Sequence, residues 1–334
     1  MRNMFIDEVL TQREKLKSCI SFYKSEGEKY LRAILEVYKK RNLNKIVLTG
    51  MGSSFYACFS IKSYLINNSF NVVVYDAYDL LANNLAAIDE KTLLVCISQS
   101  GKSWEIKEII EELNGVCPIV GVFNLEDTNL SQMCDLKLPI KAEKEICISN
   151  KSYMNTLATL GLLADYMITG GKIDFSLFEE VSKWNDNYFD KYIKNGKELF
   201  EFIGDTNTLD FVGESASLST TFQSALVYRE GPKLFTAGWQ CGDYAHGWNK
   251  IAKEGYVSFF FINNVSEHRP ALRMIDMILS SKGKIILVTN EDVEPKEGIY
   301  IIKLPDLPEH LLPINQIVPS NILMGYLLGE GWSR

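Results

Sequence analysis

The chain has 334 residues, enough for two ordinary domains, and its 46% hydrophobic and 23% charged composition is that of a globular protein with a core. A net charge of −7 and the lack of any Lys/Arg run argue against a nucleic-acid or anionic-membrane partner. The start MRNMFIDEVLTQREKLKS is amphipathic and unlike a signal peptide, and the longest apolar runs are strand-length, so the expectation is a cytoplasmic protein without a membrane span.

Residues 4–40 read as two helices, from apolar Phe5, Val9 and Leu10 and then Leu31, Ile34, Leu35 and Val37 at helical spacing. Strands and helices then alternate. KIVLTG (45–50) is a strand and SSFYACFSIKSYLINN a helix. NVVVYDA and TLLVCIS (92–98) are strands, and SWEIKEIIEELNG is a helix stopped by Asn114-Gly115. CPIVGVFN and LKLPI are further strands. A second pass opens after the turn TGGKID (169–174) with a long polar helix over about 175–203. LDFVGE (209–214) is a strand, SLSTTFQSALVYREGPK is largely helical, and 231–245 reads as a loop. VSFFFI (257–262), the helix PALRMIDMILSSKG, KIILVTN (284–290), IYIIKLP and a last helix complete the chain. Continuous apolar strands separated by helices imply parallel sheets covered on both faces. The expected fold class is α/β, with two doubly wound domains: N-terminal helices over 1–40, a first domain over 41–170 and a second over 171–334.

Seven cysteines (Cys19, Cys58, Cys96, Cys117, Cys134, Cys147 and Cys241) form no CxxC pair, and several lie in apolar strand-like runs, so they read as reduced core thiols. With three histidines only (His246, His268 and His310), no metal site is expected.

Two turns carry a chemical signal. Gly50-Met51-Gly52-Ser53-Ser54 and Ser98-Gln99-Ser100-Gly101-Lys102-Ser103 each end a strand and open a helix. In a parallel sheet such turns sit at the carboxyl ends of strands, where these folds bind ligands. Helix-start N–H groups, short hydroxyls and a glycine that allows close approach can hold a phosphate without a cation. Serines also cap helices, which is the plainer use of the same residues. The phosphate candidates are Gly52, Ser53, Ser54, Ser98, Gln99, Ser100 and Ser103. Gly101-Lys102-Ser103 has Cys96 where a P-loop needs its first glycine, and no GxGxxG follows a strand, so a triphosphatase and a dinucleotide oxidoreductase are both disfavoured. The matching turn of the second half, Gly213-Glu214-Ser215, carries a carboxylate that repels phosphate, so one phosphate site per chain is expected. Further on, Glu230 ends a helix and His246 follows sixteen residues later, a candidate acid/base pair. A solvated helix-end charge and a loop histidine are the plainer readings.

The SQSG turn after an apolar strand, with GSS after an earlier one, resembles the sugar-isomerase (SIS) domain family. The stretch from Phe222 to Gly247 is similar to the second SIS domain in the isomerase half of glucosamine-6-phosphate synthase, where a catalytic Glu is followed sixteen residues later by a His-Gly. That resemblance implies that Glu230 moves a proton between sugar C1 and C2 and that His246 assists ring opening. It also implies a homodimer with shared active sites. The departures are Val227 where the synthases have a Lys, Gln223 where they have a Glu, and an end at Gly331-Trp332-Ser333-Arg334, about where their tail Lys would follow. No glutaminase segment precedes Met1 and Arg2 stands at the second position, so glutamine-dependent synthesis is not expected.

The remaining set resembles the ketosamine-6-phosphate deglycases of fructoselysine type. The expectation is a deglycase acting on a 6-phosphorylated sugar or ketosamine without cofactor. The alternatives are an aminosugar-phosphate isomerase/deaminase, and a non-catalytic phosphosugar-binding regulator. Trp239, Gln240 and Tyr244 are expected to line the substrate pocket.

Overall fold

In the computed structural model, residues 4–124, 128–146 and 148–329 are described. Arg2, Cys147 and the terminal Gly331–Arg334 named above lie outside the described residues. Two compact units emerge: residues 14–178, and residues 179–329 together with 4–13.

In the unit 14–178, α1 (Met4–Lys24, which begins in the other unit) and α2 (Glu28–Lys40) precede β1 (Lys45–Gly50). Then come α3 (Ser53–Ala57), α4 (Phe59–Asn67), β2 (Val72–Asp76), the single turn α5 (Ala77–Asp79), β3 (Thr92–Ile97), α6 (Trp104–Glu112), β4 (Ile119–Phe123), α7 (Asn129–Met133), β5 (Leu136–Pro139) and α8 (Lys151–Thr169). The strands form one parallel sheet in the order β2-β1-β3-β4-β5. β3 and β4 are buried at every residue and β1 at all but Lys45, as strands with helices on both faces must be. α6 turns Ile106, Ile109 and Ile110 onto Val47, Leu94 and Cys96 of the sheet.

The other unit repeats the plan. It contains α9 (Phe175–Phe189), α10 (Tyr192–Ile203), β6 (Thr208–Gly213), α11 (Leu218–Glu230), β7 (Phe235–Gln240), α12 (Cys241–Tyr244), β8 (Val257–Phe261), α13 (Arg269–Ser280), β9 (Lys284–Thr289), β10 (Ile299–Lys303) and α14 (Leu312–Gly329). Its sheet is again parallel, in the order β10-β9-β8-β6-β7. Phe211, Phe259 and Phe261 stack across β6 and β8 with centroids 5.4–6.3 Å apart, and Tyr228 of α11 meets Phe211 edge-on at 5.2 Å. Each unit ends in a helix buried nearly all round, α8 and α14. Several polar groups of α14 are matched: Asn315 donates to the Val181 carbonyl at 3.0 Å, Gln316 to Ser217 Oγ at 2.9 Å and Ser320 to Ser224 Oγ at 2.9 Å.

The two doubly wound α/β sheets are as the sequence implies, and three local readings change. FTAGWQ, read as loop, is the edge strand β7, whose small residues and Gly238 hide a strand pattern. Tyr244, read as lining a substrate pocket, is fully buried in the core. The helix over 175–203 is two helices parted at Asp190-Lys191, a junction without the Gly or Pro that would mark it. Among the described helices none is long and apolar enough to cross a membrane. The six described cysteines are free and buried.

In both units the first strand ends in a glycine against the next helix. A Cβ on Gly50 would lie 2.8 Å from the Ser54 backbone carbon and 3.0 Å from the Phe55 nitrogen. One on Gly213 would collide with Thr221 Oγ1 and come within 3.2 Å of the Ser217 carbonyl oxygen. Gly50→Ala and Gly213→Ala should each cost about 1–3 kcal/mol in urea denaturation. Gly242→Ala, with no atom within 4 Å of the added methyl, should change stability by no more than about 0.5 kcal/mol.

Candidate functional site

The two serine turns come together. β1 and β3 are neighbours in register, with Gly50 opposite Ile97. The chain leaves β1 for β2 on one side and β3 for β4 on the other, so the turns flank the point where the strand order reverses. At the first turn, Gly52 sits at φ 53°, a conformation that favours glycine, and itself holds the cap position of α3. At the second, Gly101 has φ 62°, and an added Cβ would lie 2.5 Å from Thr128 Oγ1. The loop is braced by Gly101 N–H on the Ser98 carbonyl at 3.0 Å and by Asn124 N–H on the Gln99 carbonyl at 3.3 Å.

Neither turn uses its hydroxyls as helix caps. Ser103 holds the cap position of α6 with no side-chain cap bond, and α3 likewise has none. Instead Ser98 Oγ, almost fully buried, lies 3.2 Å from Ser103 Oγ. Capping, the plainer use of these serines, is therefore not what they do here. Ser53, Ser54, Gln99, Ser100 and Ser103 are half-buried, so they are open to a ligand. The chemistry is anion binding by hydroxyls and backbone N–H groups.

The equivalent turn of the other unit is closed to an anion. The Ala216 N–H donates to Glu309 Oε1 at 3.2 Å, so a carboxylate already occupies that place. Glu214 pairs with His268 Nε2. Burial pushes the Glu214 carboxyl up, His268 opposes that, and Glu309 adds to it. A cleft of about 530 Å³ at these strand ends is lined by Glu214, Glu267, Asp306, Glu309 and asparagines, a wall that repels phosphate.

Glu230 and His246 are both exposed, and the structure does not bring them together within one chain. α11 runs back along the sheet, so Glu230 stands at its last residue, before β7 begins. β7 then runs parallel to β6 and delivers His246 beyond its carboxyl end. The six residues of β7 that intervene span about 17–20 Å. Burial raises the Glu230 carboxyl above its usual range, against the opposing charge of Lys233. His246 is held by its N–H on the Asp243 carbonyl at 2.9 Å, and two residues later Trp248 stacks on Trp239 at 4.2 Å. Val227 and Gln223, the departures on α11, are both buried.

Sequence reasoning missed Glu309 as the internal anion and Thr128 and Asn124 as braces. It also passed over Asp210. A charged residue inside the apolar strand LDFVG was the available signal. Among the described residues no group of side chains could hold a metal ion.

If the turns hold a phosphate, Ser98→Ala and Ser103→Ala should each weaken fructose 6-phosphate binding by roughly 1.5–3 kcal/mol in calorimetry. Fructose itself should bind far more weakly than its phosphate, and equal affinities would refute the site.

The comparisons with known proteins bear on the fold that holds these turns. Residues 40–166 match the SIS domain family. The glutamine–fructose-6-phosphate aminotransferase (isomerizing) of Pyrococcus horikoshii is 25% identical, over 97% of this chain and 54% of that protein. The chain spans about half the length of the curated relatives it matches. The C-terminal domain of glucosamine-fructose-6-phosphate aminotransferase from Francisella tularensis superposes with a TM-score of 0.87 at 16% identity, covering 98% of this chain and 96% of that one. Glucosamine-6-phosphate deaminase from Thermotoga maritima gives 0.75 at 18% identity, over 98% and 95%. Residues 40–166 are thus similar to the SIS domain family, and the chain as a whole has the two-sheet fold of the aminotransferase C-terminal domain.

Proposed function

We propose that the protein is a phosphosugar enzyme that moves a proton between C1 and C2 of a 6-phosphorylated sugar. The observation that carries this reading is the pair of uncapped serine turns at the switch point of the first sheet. They suit a phosphate, and the anion-closed turn of the other unit leaves them as the place for it. Gly52, Ser53, Ser54, Ser98, Gln99, Ser100 and Ser103 anchor the 6-phosphate. Glu230 shuttles the proton through an enaminol or enediol, and its raised carboxyl suits a group that must both take and return a proton. His246 assists ring opening at the sugar oxygen.

The working assembly is a homodimer in which Glu230 and His246 of one site come from different copies, because one chain holds them a strand's length apart. Exposed Phe235, Trp248 and Ile251 on and after the edge strand β7 support a covered surface there. The substrate is a ketosamine 6-phosphate: once the proton has moved from C1 to C2, water adds to the resulting C1 imine and the C–N bond breaks, giving a hexose 6-phosphate and a free amine. A second reading, aminosugar-6-phosphate isomerisation or deamination, is favoured by the relatives, which include aminotransferases and a glucosamine-6-phosphate deaminase. A panel of fructoselysine 6-phosphate, glucosamine 6-phosphate and fructose 6-phosphate in heavy water separates these by turnover and by deuterium placed on carbon.

Glu230→Gln and His246→Asn should each lower turnover by about 10²–10⁴-fold with phosphosugar affinity nearly unchanged. Mixing the two inactive variants and letting subunits exchange should restore about a quarter of wild-type activity, since one site of each mixed dimer is intact. No recovery after verified exchange would sink the shared site. A raised Glu230 must still ionise to act as a base. The acid limb of kcat/KM should therefore lie above the ordinary carboxyl value of 4.5, and activity should fall as pH drops through it. In Glu230→Gln that limb should vanish. Binding that persists with no exchange on any of the three sugars would favour a phosphosugar-binding regulator instead.

A further inference from the structure

The segment carrying His246 is tied down at both ends, and one of the ties runs to a carboxylate inside the sheet. Asp210 lies in the middle of β6, between Ala237 of β7 and Ser258 of β8. Tyr256, two residues before Ser258, and Trp239, two residues after Ala237, share its face of the sheet as diagonal neighbours. Tyr256 donates its hydroxyl to Asp210 Oδ2 at 2.7 Å. The Tyr244 hydroxyl also bonds to the Tyr256 oxygen. Because Tyr256 has one proton and gives it to Asp210, Tyr244 must be the donor in that bond. Tyr244 closes α12, two residues before His246. On the other side, Trp248, two residues after His246, stacks on Trp239 at 4.2 Å and 25°. The Tyr256 hydroxyl favours the ionised Asp210 against the burial that raises its carboxyl.

We infer that Asp210 is a positioning residue for His246: through Tyr256 and Tyr244 it fixes the chain just before the imidazole, while the separate Trp239–Trp248 stack holds the chain just after it. The inference rests on the acid–base reading of His246 for its functional consequence. It makes Asp210 no part of the chemistry, since it reaches His246 only through other side chains. A carboxylate in this strand is otherwise a liability. It interrupts an apolar face beside Val212, and half-burial costs it solvation. A packing role alone would be met by any aliphatic residue.

The test reads His246 directly. With three histidines in the chain, the imidazole Cε1–H resonance of His246 is assignable by comparison with His246→Asn. In wild-type protein it should be a single sharp signal. In Tyr256→Phe and Asp210→Ala it should broaden or split, while those of His268 and His310 stay put. Asp210→Asn keeps an acceptor for Tyr256 and should largely restore the wild-type signal. Turnover of the 6-phosphosugar active in the isotope assay should fall about 10- to 100-fold in kcat in Tyr256→Phe, with KM within about twofold. Tyr244→Phe combined with Tyr256→Phe should lose little more than Tyr256→Phe alone, because both cut one relay. Circular dichroism on each variant separates misfolding from mispositioning, and Tyr256→Phe, which keeps the ring, remains decisive if Asp210→Ala does not fold. An unchanged His246 resonance in folded Tyr256→Phe and Asp210→Ala would overturn the inference. If His246→Asn itself retains full turnover, the acid–base reading falls while the resonance still decides the positioning.

Discussion

A parallel sheet has a direction, and most of the chemistry here follows from it. Every strand points the same way, so every strand-to-helix turn lands on one edge and every helix-to-strand turn on the other. The serine turns after β1 and β3 meet on the carboxyl edge of one sheet. The same rule separates Glu230 from His246. The first closes a returning helix and the second follows an outgoing strand, so no single chain can close them into one pair without abandoning β7. A spacing of sixteen residues looks local in the sequence, yet it contains a whole strand of about 17–20 Å. The proposed exchange of residues between two copies is the simplest arrangement that respects it.

Electrostatics then divides the labour between two similar frames. Both units place a turn and a helix start at a strand end with a glycine in close approach. In the first unit the turns are lined with hydroxyls, and Lys102, within the second of them, is exposed. In the other unit Glu309 fills the equivalent place from within, and Glu214 engages His268. With a net charge of −7 overall, an anionic ligand finds no general attraction, so discrimination rests on which helix start is left open. One backbone design is open for phosphate and the other is sealed by a carboxylate.

What the sequence made legible follows from local physics. Apolar runs in β1, β3, β4, β8 and β9 are buried on both faces and advertise themselves without ambiguity. SQSG was legible because hydroxyls and a glycine at a strand end have few uses. α8 was not, because a helix buried all round shows no amphipathic stripe, and its Thr, Asn and Tyr residues disguise it further. β7 was missed because an edge strand with Gly238 and exposed Phe235 lacks the apolar run of its neighbours. That one omission carried over to the site, making Glu230 and His246 neighbours across a loop and Tyr244 a pocket residue. Glu309, nearly a hundred positions from the turn it closes, has no sequence signal at all.

The buried polar residues around His246 complete the picture. An exposed imidazole beside Gly247, at φ 130°, would be expected to wander. Here the glycine is bracketed by Tyr244 and Trp248, each anchored on a rigid strand or its margin. A short loop can present a reactive group accurately when its flanks are fastened to the sheet, and conformational freedom at one glycine then serves only to aim the chain. The Tyr244 fastening runs through Tyr256 to Asp210, in the strand that also ends at the sealed turn. The second sheet therefore does two things with its carboxylates. Glu309 closes the turn to anions, and Asp210, through Tyr256 and Tyr244, holds the segment that carries His246.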